Sequence, residues 1–184
     1  MAATRRVKSR SGRGLSRKTN KSKPAFIQHH HLLLRMELIR CPGKHDIPKV
    51  KRMVHDIVAA LDMKLLDRPH IYYLDKPENN KGMTCIAPIQ TSHIAFHFWK
   101  NPDANILHQP ASKCLLEFDI YTCGNLTIRQ IHSVLHHLTI YRPTHVDMHL
   151  LNRMVSLKTD RMLHWNREHS LSWAQWLDSS AFMN

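Results

Sequence analysis

The apolar residues of the chain fall into six short segments typical of strands and two longer segments with a helical period. Short runs rich in β-branched and aromatic residues predict strands, whereas apolar positions three and four apart predict an amphipathic helix. The predicted strands are 25–39, 69–74, 83–89, 93–99, 114–122 and 143–151. The predicted helices are 46–62 and 128–139.

Both predicted helices carry start signals. Asp46 precedes the first helix as a candidate N-cap, and Pro48 falls in its first turn, where the fixed backbone angle of proline suits a helix. Thr127 precedes the second helix and is one of the residue types that prefer the N-cap position. Each helix has one apolar face, so each needs a sheet or another helix to cover it.

The predicted order is β-α-β-β-β-β-α-β, with strands 83–89 and 93–99 separated by only three residues. A connection of that length predicts a hairpin. Two helices placed among antiparallel strands predict an α+β fold, in which an antiparallel sheet is packed by two helices as a two-layer sandwich.

Residues 1–24, called the basic arm, contain nine Lys or Arg and no acidic residue, within a chain of net charge +13. With almost nothing apolar, the arm is predicted to be disordered. It is a candidate contact for nucleic acid or another polyanion, and the alternatives are a transit peptide or a solubilising tail. The candidate polyanion-binding residues are Arg5, Arg6, Lys8, Arg10, Arg13, Arg17 and Lys18.

Residues 153–184 form a tryptophan-rich C-terminal extension, in which Trp173 and Trp176 have helical spacing. Clustered tryptophans indicate docking, and docking on the body is favoured over docking on a partner subunit. The sequence therefore predicts the basic arm, a domain over 25–152 and this extension.

The chain has no apolar run long enough to span a membrane, and its first residues lack the apolar core of a secretory signal. We therefore expect a cytoplasmic protein without a membrane partner. The four cysteines show no C-x-x-C pairing, which argues against a zinc ribbon or a thioredoxin-like site. Cys41, Cys85 and Cys114 are predicted to be reduced, buried thiols.

Several histidines invite a metal interpretation. They are the run 29–31, the pair His132 and His136, and the set His145, Asp147 and His149. Neighbours on a strand point to opposite faces, and neither of the other groups has a fourth ligand nearby in sequence. The sequence therefore predicts no metal site.

Two of the predicted strands carry reactive side chains. Thr91 to Trp99 brings a serine, two histidines and a tryptophan onto one strand, and Phe118 to Gly124 ends near Cys123. A hydroxyl, an imidazole and a thiol are the groups used for nucleophilic and acid–base chemistry.

These two segments resemble a known family. Residues 92–99, Ser-His-Ile-Ala-Phe-His-Phe-Trp, resemble the S-H-I-x-x-H-x-W motif of bacterial-type S-adenosylmethionine decarboxylases, and 119–124, Asp-Ile-Tyr-Thr-Cys-Gly, resemble their D-x-[FY]-T-C-G motif. The resemblance covers about 31–151 and excludes the basic arm and the C-terminal extension. It implies a proenzyme that makes a pyruvoyl cofactor from its own serine.

The resemblance also implies catalytic roles. The hydroxyl of Ser92 attacks the carbonyl carbon of Thr91, the chain is cut between them, and Ser92 becomes the pyruvoyl group that forms a Schiff base with the substrate amine. His97 resembles the processing base, and Cys123 resembles the proton donor of the decarboxylation. Thr84 matches a position whose hydroxyl supports processing.

Substrate recognition departs from the family pattern. Trp99 matches the aromatic residue that lies on the substrate side of the site in this family. Tyr72 or Tyr73 is a candidate for stacking on the adenine ring. Lys100-Asn101 stand where the family has Pro-Glu, so the glutamate that holds the ribose hydroxyls is missing. Asp103 is a candidate replacement.

Three functions remain open. The first is a self-processing decarboxylase of S-adenosylmethionine, a homodimer that supplies the aminopropyl donor for polyamine synthesis. The second is a pyruvoyl-dependent arginine or ornithine decarboxylase. The third is an uncut structural subunit that binds nucleic acid or a large assembly through the basic arm.

Overall fold

A computed structural model describes residues 28–183, so the basic arm predicted at 1–24 lies outside the described residues. Seven antiparallel strands form one sheet, and four helices accompany it. The strands are β1 (His30–Leu38), β2 (His70–Leu74), β3 (Gly82–Ile89), β4 (Ser92–Lys100), β5 (Cys114–Thr122), β6 (Pro143–Asn152) and β7 (Lys158–Asn166). The helices are α1 (Ile47–Ala60), α2 (Ile128–Leu138), α3 (Trp173–Leu177) and α4 (Ser180–Met183).

The sheet order is β2-β3-β4-β5-β1-β6-β7, which places β5 at its centre, between β4 and β1. The α+β class and the six strands and two helices predicted from the sequence are confirmed. α3 coincides with the helical spacing of Trp173 and Trp176, whereas β7 and α4 are additional elements. Thr127 caps α2 through a reciprocal pair of hydrogen bonds with Gln130. Asp46 occupies the N-cap of α1, but its carboxylate accepts from the backbone N–H of Gly43 instead.

One face of the sheet packs on the helices and the other does not. Ile94 and Phe98 of β4 are fully buried in the same apolar cluster as Val54 of α1 and Leu135 of α2. Because side chains alternate along a strand, the odd-numbered residues of β1, β4, β5 and β6 form the opposite face. We call this second surface the open face.

Gly82, at the start of β3, has a backbone that only glycine suits. Its φ is +157°, and an added Cβ would lie 1.7 Å from the backbone oxygen of Phe98. The missing side chain lets β3 approach β4 at this point.

The C-terminal extension is docked on the body. β7 continues the sheet beyond β6, and Trp165, Trp173 and Trp176 are buried. The indole N–H of Trp173 donates to the Thr139 hydroxyl just after α2, at 3.0 Å. The extension therefore covers one end of the helical layer.

Cys41 and Cys114 form a disulfide bond across 73 positions of sequence. The prediction that these two residues are reduced thiols is therefore wrong, because a pairing at this separation leaves no local pattern. Cys85 is a free buried thiol as predicted, and Cys123 is free and exposed.

Within residues 28–183 no helix combines the length and the apolar character that crossing a membrane requires.

Candidate active site

Ser92 is the first residue of β4 and follows the tight hairpin loop Gln90-Thr91, which joins β3 to β4. Its φ is +149°, a region that residues with a side chain rarely adopt. Such a conformation costs about 1–3 kcal/mol and persists only where surrounding contacts hold it. The peptide bond predicted to be cut therefore ends in a strained residue.

The carbonyl group of Thr91 is held from the neighbouring strand. Its oxygen accepts the backbone N–H of Cys123 at 2.9 Å. The hydroxyl of Thr91 lies 2.8 Å from that of Thr122 and also donates to the sulfur of Met63. The hairpin loop is thus fixed to the end of β5 by both backbone and side-chain contacts.

The structure brings Ser92 and Cys123 to the same end of the sheet. Ser92 pairs in register with Thr122, the residue that precedes Cys123. The exposed thiol of Cys123 therefore belongs to the segment that contacts the Thr91–Ser92 bond.

Thr84 and His97 form a second group on the open face. They are opposite each other on β3 and β4, and the Thr84 hydroxyl lies 2.5 Å from Nδ1 of His97. Nε2 of His97 is buried and has no hydrogen-bond partner among the described residues. Burial lowers the pKa of His97, which favours the neutral imidazole that a base requires.

Trp99 packs on this group. The ring centroids of His97 and Trp99 are 3.9 Å apart, and the indole N–H of Trp99 donates to the side chain of Asn80. Trp99 therefore orients the imidazole and closes one side of the space in front of it.

The structure does not bring His97 to Ser92 within one chain. They are five positions apart on β4, and a strand rises about 3.3 Å per residue, so their Cα atoms are separated by roughly 16 Å. The separation exceeds the reach of both side chains. His97 therefore cannot act on Ser92 of its own chain in this conformation.

Two residues predicted to bind substrate lie elsewhere. Tyr73 packs against the core from the helix-covered side, because it pairs with buried Met83. Tyr72, the alternative, pairs with Thr84 and lies on the open face. Asp103 caps a short turn by accepting the backbone N–H of Asn105, so its carboxylate has a local structural partner.

A groove of about 830 Å³ crosses the open face. Thr84, Ala95, His97 and Trp99 line it together with carboxylates that include Glu117. The groove is mainly apolar with an acidic component, which suits a cationic ligand with an apolar part.

Sequence reasoning missed a second histidine at the serine. Nδ1 of His93 lies 3.2 Å from the hydroxyl oxygen of Ser92, and Nε2 of His93 lies 3.6 Å from the carboxylate of Asp119. The same carboxylate contacts His31 at 3.1 Å. Both His93 and Asp119 lie within the recognised motifs, but their pairing across β4 and β5 is not visible in the sequence.

A comparison with protein-family models matches residues 31–154 to a family described as S-adenosylmethionine decarboxylase. The match includes both motifs and every residue of the site described above. A search among curated proteins gives no match.

Proposed function

Because the chain belongs to the S-adenosylmethionine decarboxylase family, we propose that it is a self-processing, pyruvoyl-dependent enzyme that decarboxylates S-adenosylmethionine. The contact that carries the proposal is the 2.9 Å hydrogen bond from the Cys123 N–H to the Thr91 carbonyl. It polarises the carbonyl that the Ser92 hydroxyl must attack, and the strained backbone of Ser92 raises the energy of the uncut chain.

The first step is an N→O acyl shift. Oγ of Ser92 attacks the carbonyl carbon of Thr91, and His93, 3.2 Å away, accepts the hydroxyl proton. The Cys123 N–H stabilises the negative charge that develops on the carbonyl oxygen. The C–N bond then breaks and the nitrogen takes up a proton, which leaves an ester between Thr91 and Ser92.

The second step is an elimination. A base removes the Cα proton of Ser92, the bond between Cβ and Oγ of Ser92 breaks, and residues 1–91 leave with a terminal carboxylate that retains Oγ. Hydrolysis of the resulting enamine releases ammonia and leaves a pyruvoyl group at the start of 92–184. When formed, this group withdraws electrons from the substrate as CO₂ departs. The thiol of Cys123 returns a proton to the substrate carbon.

His97 is the candidate base for the elimination, and it must come from a second protomer. In a symmetric homodimer formed through the open face, a twofold axis near Ala95, midway between Ser92 and His97, brings His97 of the partner subunit towards Ser92. The exposed apolar residues Leu33 and Ile86 supply contact area on this face. In such a dimer, Nε2 of His97, which has no hydrogen-bond partner among the described residues of its own chain, would accept the Cα proton of Ser92 of the partner subunit.

The groove supports a cationic substrate. S-adenosylmethionine carries a positive sulfonium and a positive ammonium group, and Glu117 and Asp119 line the groove near the aromatic ring of Trp99. Its product would serve as the aminopropyl donor of polyamine synthesis. Arginine and ornithine are also cationic, so they are the competing substrates.

Intact-mass spectrometry of the purified chain tests processing. We expect two fragments, 1–91 and 92–184, with a pyruvoyl group on the second, and a single uncut chain for Ser92→Ala. Ser133→Ala, a change on the exposed side of α2, is the control and should be cut normally. An uncut wild-type chain would exclude this function and favour the structural subunit.

Substrate choice has its own assay. Release of ¹⁴CO₂ from carboxyl-labelled S-adenosylmethionine is expected from the processed protein. If ¹⁴CO₂ is released only from carboxyl-labelled arginine or ornithine, the protein is a pyruvoyl-dependent decarboxylase but S-adenosylmethionine is not its substrate.

Mixing two inactive variants tests the shared site. Ser92→Ala retains His97, and His97→Ala retains Ser92. Each alone should stay uncut, whereas refolding them together should cut the His97→Ala chain at Ser92. If His97→Ala is never cut in the mixture although both variants dimerise, the base does not come from the partner.

A further inference from the structure

A cluster of metal-ligating side chains lies on the open face where β6 pairs with β7, and its Asp147 also lines the far end of the groove that contains His97. His145 and Asp147 are two positions apart on β6, so they share one face of the sheet. His164 pairs with Asp147 in register from β7. Because all three side chains stand on paired strands, their relative positions are set by the sheet.

The three side chains converge on one another. Asp147 contacts Nε2 of His145 at 3.0 Å through one carboxylate oxygen and Nδ1 of His164 at 2.8 Å through the other. One candidate ligand atom from each residue lies within 4.8 Å of the other two. A tetrahedral ion with bonds of about 2.0–2.2 Å requires ligand atoms about 3.3 Å apart, so small side-chain rotations are sufficient.

The surroundings of His145 hold its ring in place. Its exposed fraction is only 4%, and the ring is confined between those of His108, stacked at 4.1 Å, and His164, at 4.7 Å. Nε2 is therefore held towards Asp147, at 3.0 Å, and little side-chain freedom remains to be lost when an ion binds there. Nδ1, which has no hydrogen-bond partner among the described residues, points away from this contact.

We propose that His145, Asp147 and His164 bind a divalent transition-metal ion of the zinc class. Two imidazoles and a carboxylate form a donor set that suits zinc and its neighbours and that calcium and magnesium, which prefer oxygen ligands, do not favour. Three protein ligands leave a fourth position for water, and His164 is half exposed, which gives the ion a route to the site.

Glu37 and His108 form a second possible group with His145. The Glu37 carboxylate, however, already accepts hydrogen bonds from Arg35, His108, Gln109 and Ser112. These donors leave it little capacity to coordinate an ion. Glu37 therefore anchors the loop between β4 and β5 through these hydrogen bonds, and it is not part of the proposed metal site.

The position of His164 gives the ion a structural consequence. His164 lies on β7, beyond residues 31–154 that match the family, whereas His145 and Asp147 lie within them. A bound ion links the C-terminal extension to the family domain at the edge of the sheet. The alternation of residues along β6 places His149 on the same face as His145 and Asp147, but His149 is exposed and pairs with Met162 of β7.

The experiment uses the full chain, treated with a chelator and then titrated with ZnCl₂ in a calorimeter. We expect one Zn²⁺ per chain and affinity at least ~100-fold weaker in Asp147→Asn and in His164→Gln. The double variant His132→Gln/His136→Gln is the matched control, because an i, i+4 histidine pair on a helix can chelate an ion and this pair lies on α2, away from β6 and β7. It should bind as the wild type does.

Co²⁺ absorption provides a readout that is independent of fold stability. Wild-type protein loaded with CoCl₂ should show the visible bands of tetrahedral cobalt, and the Asp147 and His164 variants should lack them while retaining the circular dichroism of the metal-free wild type. Equal Zn²⁺ affinity in wild type and these variants, or loss of binding in the α2 control, would overturn the proposal.

Discussion

The backbone N–H of Cys123 donates to the carbonyl oxygen of Thr91 at 2.9 Å, and the thiol of the same residue is exposed. Cys123 therefore contacts the peptide bond before Ser92 through its backbone and carries a free thiol on the same residue. The N–H belongs to the backbone and survives substitution of the side chain. The two groups can be separated by mutation.

Cys123→Ala should leave chain cutting largely intact and impair decarboxylation. The variant keeps the backbone donor but loses the proposed proton donor, a group whose loss typically costs 10²–10⁴-fold in rate. Mass spectrometry measures cutting, and release of ¹⁴CO₂ measures turnover. An uncut Cys123→Ala chain would show that the thiol itself takes part in processing.

Alkylation should distinguish the four cysteines. Cys123 is exposed, whereas Cys85 is fully buried and burial raises its pKa to about 12. Cys41 and Cys114 are joined in a disulfide. Iodoacetamide added to the native protein at pH 8 without reductant should modify Cys123 alone, as peptide mass mapping will report. Urea without reductant should add Cys85, and modification of Cys41 under either condition would contradict the disulfide.

Local patterns in the sequence predict most of the fold because they reflect one element at a time. The spacing of apolar residues predicts α1 and α2, and Thr127 is identified from the sequence as the cap of α2. β7 was missed because its residues, from Lys158 onward, are mainly polar and exposed, as expected for an edge strand.

The site was predicted less completely because it depends on pairing between strands. Tyr73 and Tyr72 are neighbours in sequence, yet register places only Tyr72 opposite Thr84. The contact between His93 and Asp119 depends on the pairing of β4 with β5. A motif identifies residue types, but it does not reveal that Ser92 and His97 are about 16 Å apart along one strand.

The rate of chain cutting should remain high below pH 6.5. Burial lowers the pKa of His97, so its neutral, basic form persists to a lower pH than that of a free histidine. The cutting rate should fall only as pH drops through this lowered pKa. In vitro translated precursor, followed on gels between pH 5 and pH 8, provides the measurement. A midpoint above 6.5 would contradict His97 as the base that limits the rate.

Gly82→Ala should destabilise the fold strongly. The new Cβ would lie 1.7 Å from the backbone oxygen of Phe98, and φ at this position is +157°. β3 must then move away from β4, and we expect a loss of ~3 kcal/mol or more in the free energy of unfolding. Gly43→Ala is the control, since its Cβ would meet only side chains, those of His45 at 3.0 Å and Asp46 at 3.8 Å. Urea denaturation of both variants compares them, and equal stabilities would contradict the steric argument.

Glu37 should make folding stability depend on pH in the acid range. Its side chain is fully buried, and although burial alone raises a carboxyl pKa, hydrogen bonds from the backbone of His108 and Gln109 and from the side chains of His108 and Arg35 lower it to about 2. A folded-state pKa below the unfolded value of 4.5 stabilises the fold above pH 4.5, and the contribution is lost as pH falls from 4.5 through 2.

The full contribution of this shift is about 3 kcal/mol. Urea denaturation at pH 7 and pH 3, with a chelator present, should show a larger loss of stability for the wild type than for Glu37→Gln, which has no carboxyl group to protonate at this position. Other carboxyl groups titrate equally in both proteins, so the difference between the two losses isolates Glu37. Equal losses would show that the hydrogen bonds to Glu37 do not favour its charged form.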